Sequence, residues 1–309
     1  SDYCGPGVHV YQEDSKDLAQ ENPQILRQAL GKVVETVFHT QEAGTALPDS
    51  LGDWVKEVYR YQAIEALMAD EHRMITYEQE QKGKRGNFKE QKGKLYCLDA
   101  SEYLAPHYKK FHSVVLFSAT LRPSTYFQSL LGLDENTQSL SLPSPFASEQ
   151  LGVFLCAHID TRYQYRDRSI DDVVDIIAKT YAAKKGNYLV FFPSYRFMQQ
   201  LAERFQFLHA DIDIIQQVSG SDESERASFL AAFESGKNTL GFAIMGGIFG
   251  EGVDYFGERL IGAIVVGVGL PQINEEQNLI KERFSDKGHD GFDYAYRYPG
   301  MIKVLQTAG

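Results

Sequence analysis

Ala243-Ile-Met-Gly-Gly-Ile-Phe-Gly-Glu-Gly-Val-Asp254 is the stretch on which the fold of this 309-residue chain turns. An apolar run over residues 239–245 predicts a buried strand, and four glycines follow it: Gly246, Gly247, Gly250 and Gly252. Glycine permits positive φ and close approach of the backbone to a ligand. Glu251 and Asp254 put carboxylates in the same loop, where they can hydrogen-bond ribose hydroxyls or orient a cation. The same glycines also suit an ordinary strand-to-helix turn, so the flanking chain decides.

On both sides of this loop, short apolar runs alternate with amphipathic ones. Strands are predicted over residues 152–158, 188–192, 212–218, 239–245 and 261–268. Helices are predicted over 170–183, 194–207 and 223–234. This rhythm implies a mostly parallel sheet with helices on both faces. Ligands of such sheets sit at the carboxyl ends of the strands. Those ends are residues 193–196, 219–221, 246–254 and 267–271. Ser194 suits a helix cap, and it could equally offer its hydroxyl and the helix-terminal amides to a phosphate. Tyr195, Arg196 and Ser219 are candidates for contact with a nucleic-acid backbone. At the tail, Pro299 is expected to open a helix that carries Met301, Val304 and Leu305 inward.

Upstream, Ser141-Leu-Pro-Ser-Pro-Phe146 reads as a linker, because two prolines cannot continue a helix or a central strand. Residues 112–120 predict a buried strand that ends in Ser118-Ala119-Thr120, and Arg122-Pro123 leads into a helix over 124–131. Residues 23–38 and 53–69 carry wide apolar stripes at helical spacing, the second expected to bury Trp54, Val55, Val58, Tyr59, Ile64 and Leu67. Short strands are expected at 8–11, 74–79 and 94–99. The segment between the last two is polar and basic, with Lys82, Lys84, Arg85, Lys89, Lys92 and Lys94 around Phe88. It reads as a loop touching phosphates or as a solvated hairpin tip.

Composition narrows the class. The hydrophobic fraction is 43%, enough for a sizeable core and about two domains. No stretch is long and apolar enough to span a membrane, and no signal pattern opens the chain, so a cytoplasmic protein is expected. Cys4, Cys97 and Cys156 lie far apart and lack the spacing of a zinc or iron-sulfur site. The net charge of −11 argues against a general nucleic-acid coat and leaves room for a local basic track.

Six segments in order resemble the later motifs of the DinG/XPD-type superfamily 2 DNA helicases. They are Ser118-Ala-Thr-Leu121, Ser144-Pro-Phe146, Phe191-Phe-Pro-Ser-Tyr195, Phe249-Gly-Glu-Gly-Val-Asp254, Gly269-Leu-Pro271 and Gln306-Thr-Ala-Gly309. The resemblance covers residues 94–309. It implies a DNA motor of two RecA-like lobes, with ATP and Mg2+ between them, single-stranded or forked DNA across their top, movement 5′ to 3′, and a place in DNA repair. It divides the chain into a mainly helical arch-like domain (1–93), the last strands of the first lobe (94–140), a linker (141–150) and the second lobe (151–309). Ser118, Ala119 and Thr120 then match the motif coupling nucleotide state to lobe movement. Ser194, Tyr195, Arg196, Ser219 and Arg122 match strand contacts. Gly250, Glu251, Gly252, Asp254 and Gln306 match groups facing the nucleotide and its phosphates.

The resemblance has gaps. No Gly-x-x-x-x-Gly-Lys-Ser/Thr loop and no Asp-Glu-Ala-His stretch occurs, nor does the four-cysteine cluster of iron-sulfur members. The final motif stops before its first arginine, a group that stabilises phosphoryl charge in related systems. The chain is therefore expected to be the second half of a helicase, with the first lobe as its partner and no ATPase activity alone. A helicase-derived strand-binding module without ATP turnover is the alternative. A dinucleotide enzyme would need Gly-x-Gly-x-x-Gly early in its first strand-helix unit, and residues 187–196 have none.

Overall fold

The computed structural model describes residues 8–11, 23–42, 48–66, 72–83, 86–250 and 253–308. In chain order these form β1 (Val8–Tyr11), α1 (Pro23–Glu42), α2 (Asp49–Glu65), β2 (His72–Gly83), β3 (Gly86–Cys97), α3 (Ser101–Tyr108) and α4 (Ser124–Leu130). There follow α5 (Arg166–Ala183), β4 (Tyr188–Phe192), α6 (Tyr195–Leu208), β5 (Ile214–Gln216), α7 (Glu223–Ala231) and β6 (Leu240–Ile244). Last come β7 (Gly262–Val265), α8 (Glu275–Asp286) and α9 (Tyr298–Ala308). The chain divides into two compact units. One holds residues 1–113, 129–133 and 273–291, and the other holds 114–128, 134–272 and 292–309. Residues 94–113 and 273–291 both belong to the first unit.

The second unit is a parallel sheet in the order β5-β6-β4-β7. Its middle strand β4 is buried at every position. Side chains alternate across a strand, so β4 feeds two cores at once. Tyr188, Val190 and Phe192 join α5 and α6 through Val174, Ile177, Leu201 and Phe205. Leu189 and Phe191 face the other layer, with Phe229, Phe233, Phe249 and the half-buried Val304 of α9. Each large apolar side chain buried this way contributes about 1.5–3 kcal/mol.

One buried polar residue ties the strands together where they begin. Asn187 is fully buried immediately before β4. Its Nδ2 donates to the Glu234 carbonyl at 2.8 Å and to the Arg259 carbonyl at 3.2 Å. Its Oδ1 accepts from the Thr239 amide at 2.9 Å. Its backbone carbonyl accepts from the Ile261 amide at 2.9 Å. The approaches to β6 and β7 are thereby fixed against β4.

The first unit adds to the two expected helices a three-stranded antiparallel sheet, β1-β2-β3. Val34 of α1 packs with Val55 and Val58 of α2. A charged cluster ties α3 to α8. The buried Asp99 accepts from Lys287 Nζ and from the Ser101 amide at 2.9 Å. Lys287 also lies 3.3 Å from Glu102, and Arg283 lies 3.6 Å from the same carboxylate. Burial pushes the Asp99 carboxyl up, but hydrogen bonds from Lys287 and Ser101 outweigh it and hold the group below its ordinary value.

Several sequence expectations need correction. Residues 112–120 and 152–158 are expected to form strands, and neither segment does. Phe117 and Phe154 are each 90% exposed. A parallel strand needs a neighbour's amides and carbonyls, and among the described residues none pairs with these segments. Of the two readings of 82–94, the backbone forms the hairpin, β3 pairing antiparallel with β2 from Cys97 to Gly86. Lys84 and Arg85 lie outside the described residues, as does Leu67. Trp54, Tyr59, Ile64, Met301 and Leu305 are exposed, since the helices carrying them pack through narrower stripes. Two helices escaped the periodicity reading. α3 is short, while α8 announces itself by its cap, the Asn274 side chain accepting from the Gln277 amide at 2.9 Å.

Replacing Asn187 with Leu strips three hydrogen bonds from buried groups and should lower unfolding free energy by about 2–4 kcal/mol, read by urea titration. The Asp99 carboxyl has a folded pKa below its unfolded one. Its stabilisation is therefore complete above the ordinary aspartate value of 3.8 and is lost as pH falls through the depressed folded value. Melting curves should show Asp99→Asn less stable than the parent at neutral pH, with the gap closing in acid.

Candidate functional site

Four parallel strands point their carboxyl ends to one edge, and the loops leaving them meet there. Met245 extends the β6 ladder by donating its amide to the Phe192 carbonyl at 2.9 Å. The chain then turns at Gly246, whose φ of +66° is strained for any residue with a Cβ. A Cβ there would press on the aliphatic stem of Lys303, 3.3 Å away. One at Gly269, after β7, would meet the same stem at 3.5 Å. A Cβ at Gly250 would meet Thr307 Oγ1 at 3.5 Å and Phe191 at 3.4 Å. The glycine loop therefore lies against α9, the helix that carries Gln306. Phe249 anchors the loop from below, its ring 4.2 Å from that of Phe229.

Gln217 joins the remaining strand ends. Its Oε1 accepts from the Ile244 amide at 2.9 Å, and its Nε2 donates to the Tyr195 hydroxyl at 2.9 Å. One side chain beyond β5 thus holds the last residue of β6 and the first residue of α6. Ser194 caps α6, accepting from the Phe197 amide at 3.4 Å. Arg196 beside it is exposed and has no carboxylate partner among the described residues. Burial raises the Tyr195 phenol and pushes Tyr255 up to about 12.

The predicted residues divide by place. Gly250, Ser194, Tyr195, Arg196 and Gln306 lie on the loops and helix starts of this edge or on α9 beside it. Asp254 is exposed on the continuation of the glycine loop, and Ser219 is exposed in the turn after β5. Glu251 and Gly252 lie outside the described residues. Ser118 and Thr120 form a local turn, with their hydroxyls 3.3 Å apart and the Thr120 amide donating to Ser118 Oγ at 3.2 Å. Ala119 between them is exposed. Arg122 donates to Ser141 Oγ at 2.7 Å, within the linker. Among the described residues these last four make no hydrogen bond to the sheet edge. The sequence singles out neither Gln217 nor Lys303, and Thr307 only as part of the segment 306–309. Lys303 stands three residues before Gln306 and four before Thr307, so helical spacing alone puts it on their face.

This edge of a parallel sheet, with glycine loop, capped helix and closing helix, belongs to a RecA-like fold. Residues 177–309 match the family described as the helicase C-terminal domain. In this region the chain is similar to the XPD/DinG-type helicases of superfamily 2. It is 23% identical over 205 residues to the ATP-dependent DNA helicase XPD of Sulfolobus acidocaldarius, covering 64% of this chain and 36% of that one. It is 25% identical over 208 residues to the general transcription and DNA repair factor IIH helicase subunit XPD of Dictyostelium discoideum, covering 60% and 26%. The chain thus spans about a third or less of these relatives. A solved XPD helicase superposes with a TM-score of 0.56 at 17% identity, over 95% of this chain and 50% of that one. An apo XPD structure gives 0.55 at 19%, over 84% and 51%. Among the described residues, no helix is long and apolar enough to cross a membrane.

The bridge through Gln217 can be weighed by a double-mutant cycle. Gln217→Ala should cost about 1–2 kcal/mol in urea unfolding and Tyr195→Phe about 0.5–1.5. The double variant should cost less than their sum, because both remove the same hydrogen bond.

Proposed function

We propose that this chain is the C-terminal part of an ATP-dependent DNA helicase that moves 5′ to 3′ along a single strand. ATP and Mg2+ sit between the edge of its second unit and a companion RecA-like lobe. The observation that carries this reading is the meeting of the glycine loop at 246–250 with Lys303 and Thr307, on the helix that bears Gln306. The glycines leave room for backbone approach, and an ammonium and an amide close by suit phosphate oxygens. ATP supplies the phosphoryl group whose transfer drives movement. This chain's part is to present donors to the terminal phosphate and to turn closure of the lobes into strand displacement. Gly250, Gly252, Asp254 and Gln306 face the nucleotide, with Glu251 beside them. Ser118, Ala119 and Thr120 couple its state to movement. Ser194, Tyr195, Arg196, Ser219 and Arg122 hold the strand.

The exposed apolar segments support a companion lobe. Val115 and Phe117, and then Val153, Phe154 and Leu155, are apolar runs with the period of a buried strand, yet they stand in solvent. A sheet supplied by the companion would cover them and complete their ladders. On this reading residues 94–140 belong to the first lobe, 141–150 link the lobes, 151–309 form the second, and 1–93 form the arch. The motor works in the cytoplasm, in DNA repair, and needs no iron-sulfur cluster within this chain.

The test is DNA-stimulated ATP hydrolysis by the chain alone and by a polypeptide joining it to the companion lobe. The chain alone should be silent. The joined form should turn over, and Gln306→Ala should lower its kcat at least about tenfold. Turnover by the chain alone, or no effect of Gln306→Ala, would overturn the shared site. A joined form that binds single strands without hydrolysis would favour the strand-binding module.

A further inference from the structure

Residues 160–168 hold a feature that none of the matched motifs includes. The sequence Asp160-Thr-Arg-Tyr-Gln-Tyr-Arg-Asp-Arg168 interleaves aromatic rings with arginines just before α5. Tyr163 is 78% exposed. A ring left in water this way gives up much of the stabilisation that burial of a large apolar side chain offers. It is nevertheless held. The Arg166 guanidinium lies 5.7 Å from its centroid, and the same guanidinium lies 5.1 Å from the ring of buried Phe197. Arg166 is pinned in turn by the Thr161 carbonyl, to which its Nε donates at 3.2 Å. Two residues on, Tyr165 carries the Arg162 guanidinium 5.1 Å from its own ring. The one-turn helix Tyr163–Tyr165 fixes the spacing of the two rings.

Two contacts place this shelf. Phe197 stands in the first turn of α6, beside Ser194, Tyr195 and Arg196. Thr161 packs against Gly267 at the end of β7, where a Cβ would lie 2.5 Å from its hydroxyl and φ is +76°. The shelf therefore borders the same carboxyl edge of the sheet. Arg162, Arg166 and Arg168, with Arg196 nearby, alternate with Asp160 and Asp167, and Asp171 and Asp172 follow in α5. Asp160 is taken up by Arg162, and Asp171 by a two-pronged bond from Arg204 at 2.6 and 3.0 Å. Arg168 and Arg196 are exposed and have no carboxylate partner among the described residues.

We infer that this shelf, with Tyr163 at its centre, stacks a base of single-stranded DNA while Arg168 and Arg196 take the flanking phosphates. An exposed ring with a fixed cation behind it is preorganised to receive a second flat surface in front. Sequence tolerance follows, since every base presents such a face. The inference rests on the proposed strand-binding function and adds to it a stacking residue upstream of the second lobe's first helix.

The test uses the 309-residue chain and a fluorescein-labelled oligothymidylate, with anisotropy read over a range of salt. Tyr163→Ala should weaken binding by about 5- to 100-fold. Tyr163→Phe and Tyr163→Trp, which keep a ring, should stay within about twofold of the parent. The salt slope should be unchanged in all three, whereas Arg196→Ala should lower it by about one. Parent-like binding by Tyr163→Ala alongside weakened Arg196→Ala would remove the shelf and leave strand binding standing. Tyr163→Phe losing as much as Tyr163→Ala would mean hydroxyl contact, and the stacking role would fall. No binding by the parent chain would remove both.

Discussion

The Asn187 side chain is the constraint from which the working edge follows. It reaches the carbonyls that end the α7 region and precede β7, and it takes the amide that opens β6. Backbone ladders alone would tolerate slippage between parallel strands, because their hydrogen bonds are evenly spaced. A buried amide with three fixed partners does not. With the starts of three strands aligned, their ends align too. Only then can Gln217 reach both Ile244 and Tyr195, and only then does the turn at Gly246 fall against Lys303. Specificity set at one edge of the sheet thus appears as chemistry at the other.

Much of the second unit was legible in the chain, and the reason is physical. β4 is buried on both faces, so its five residues must all be apolar, and that run cannot be mistaken. The α5 and α6 stripes follow the helical period, and the Ser194 cap marks where α6 begins. The glycine loop was legible because positive φ at Gly246 restricts residue choice. The segments at 112–120 and 152–158 misled for the same reason that β4 did not. Apolar periodicity records the environment a segment is built for, and here that environment is not among the described residues.

The site was less legible than the fold. Gln217 and Lys303 carry no motif, and their importance comes from distances across elements that no spacing encodes. The basic stretch 82–94 shows the limit from the other side. Its composition leaves a loop and a hairpin tip both open, and backbone pairing with β2 decides for the hairpin, since ladder hydrogen bonds are indifferent to side-chain charge. Exposure of Trp54, Tyr59 and Ile64 makes the related point that a stripe wider than its partner leaves its margins wet.

The two bare ribbons around Phe117 and Phe154 carry a cost for any state in which this lobe is alone. Apolar and lacking ladder partners among the described residues, they present open amides and carbonyls to whatever chain arrives first, including a copy of themselves. Whatever covers these segments would also protect them from self-adhesion.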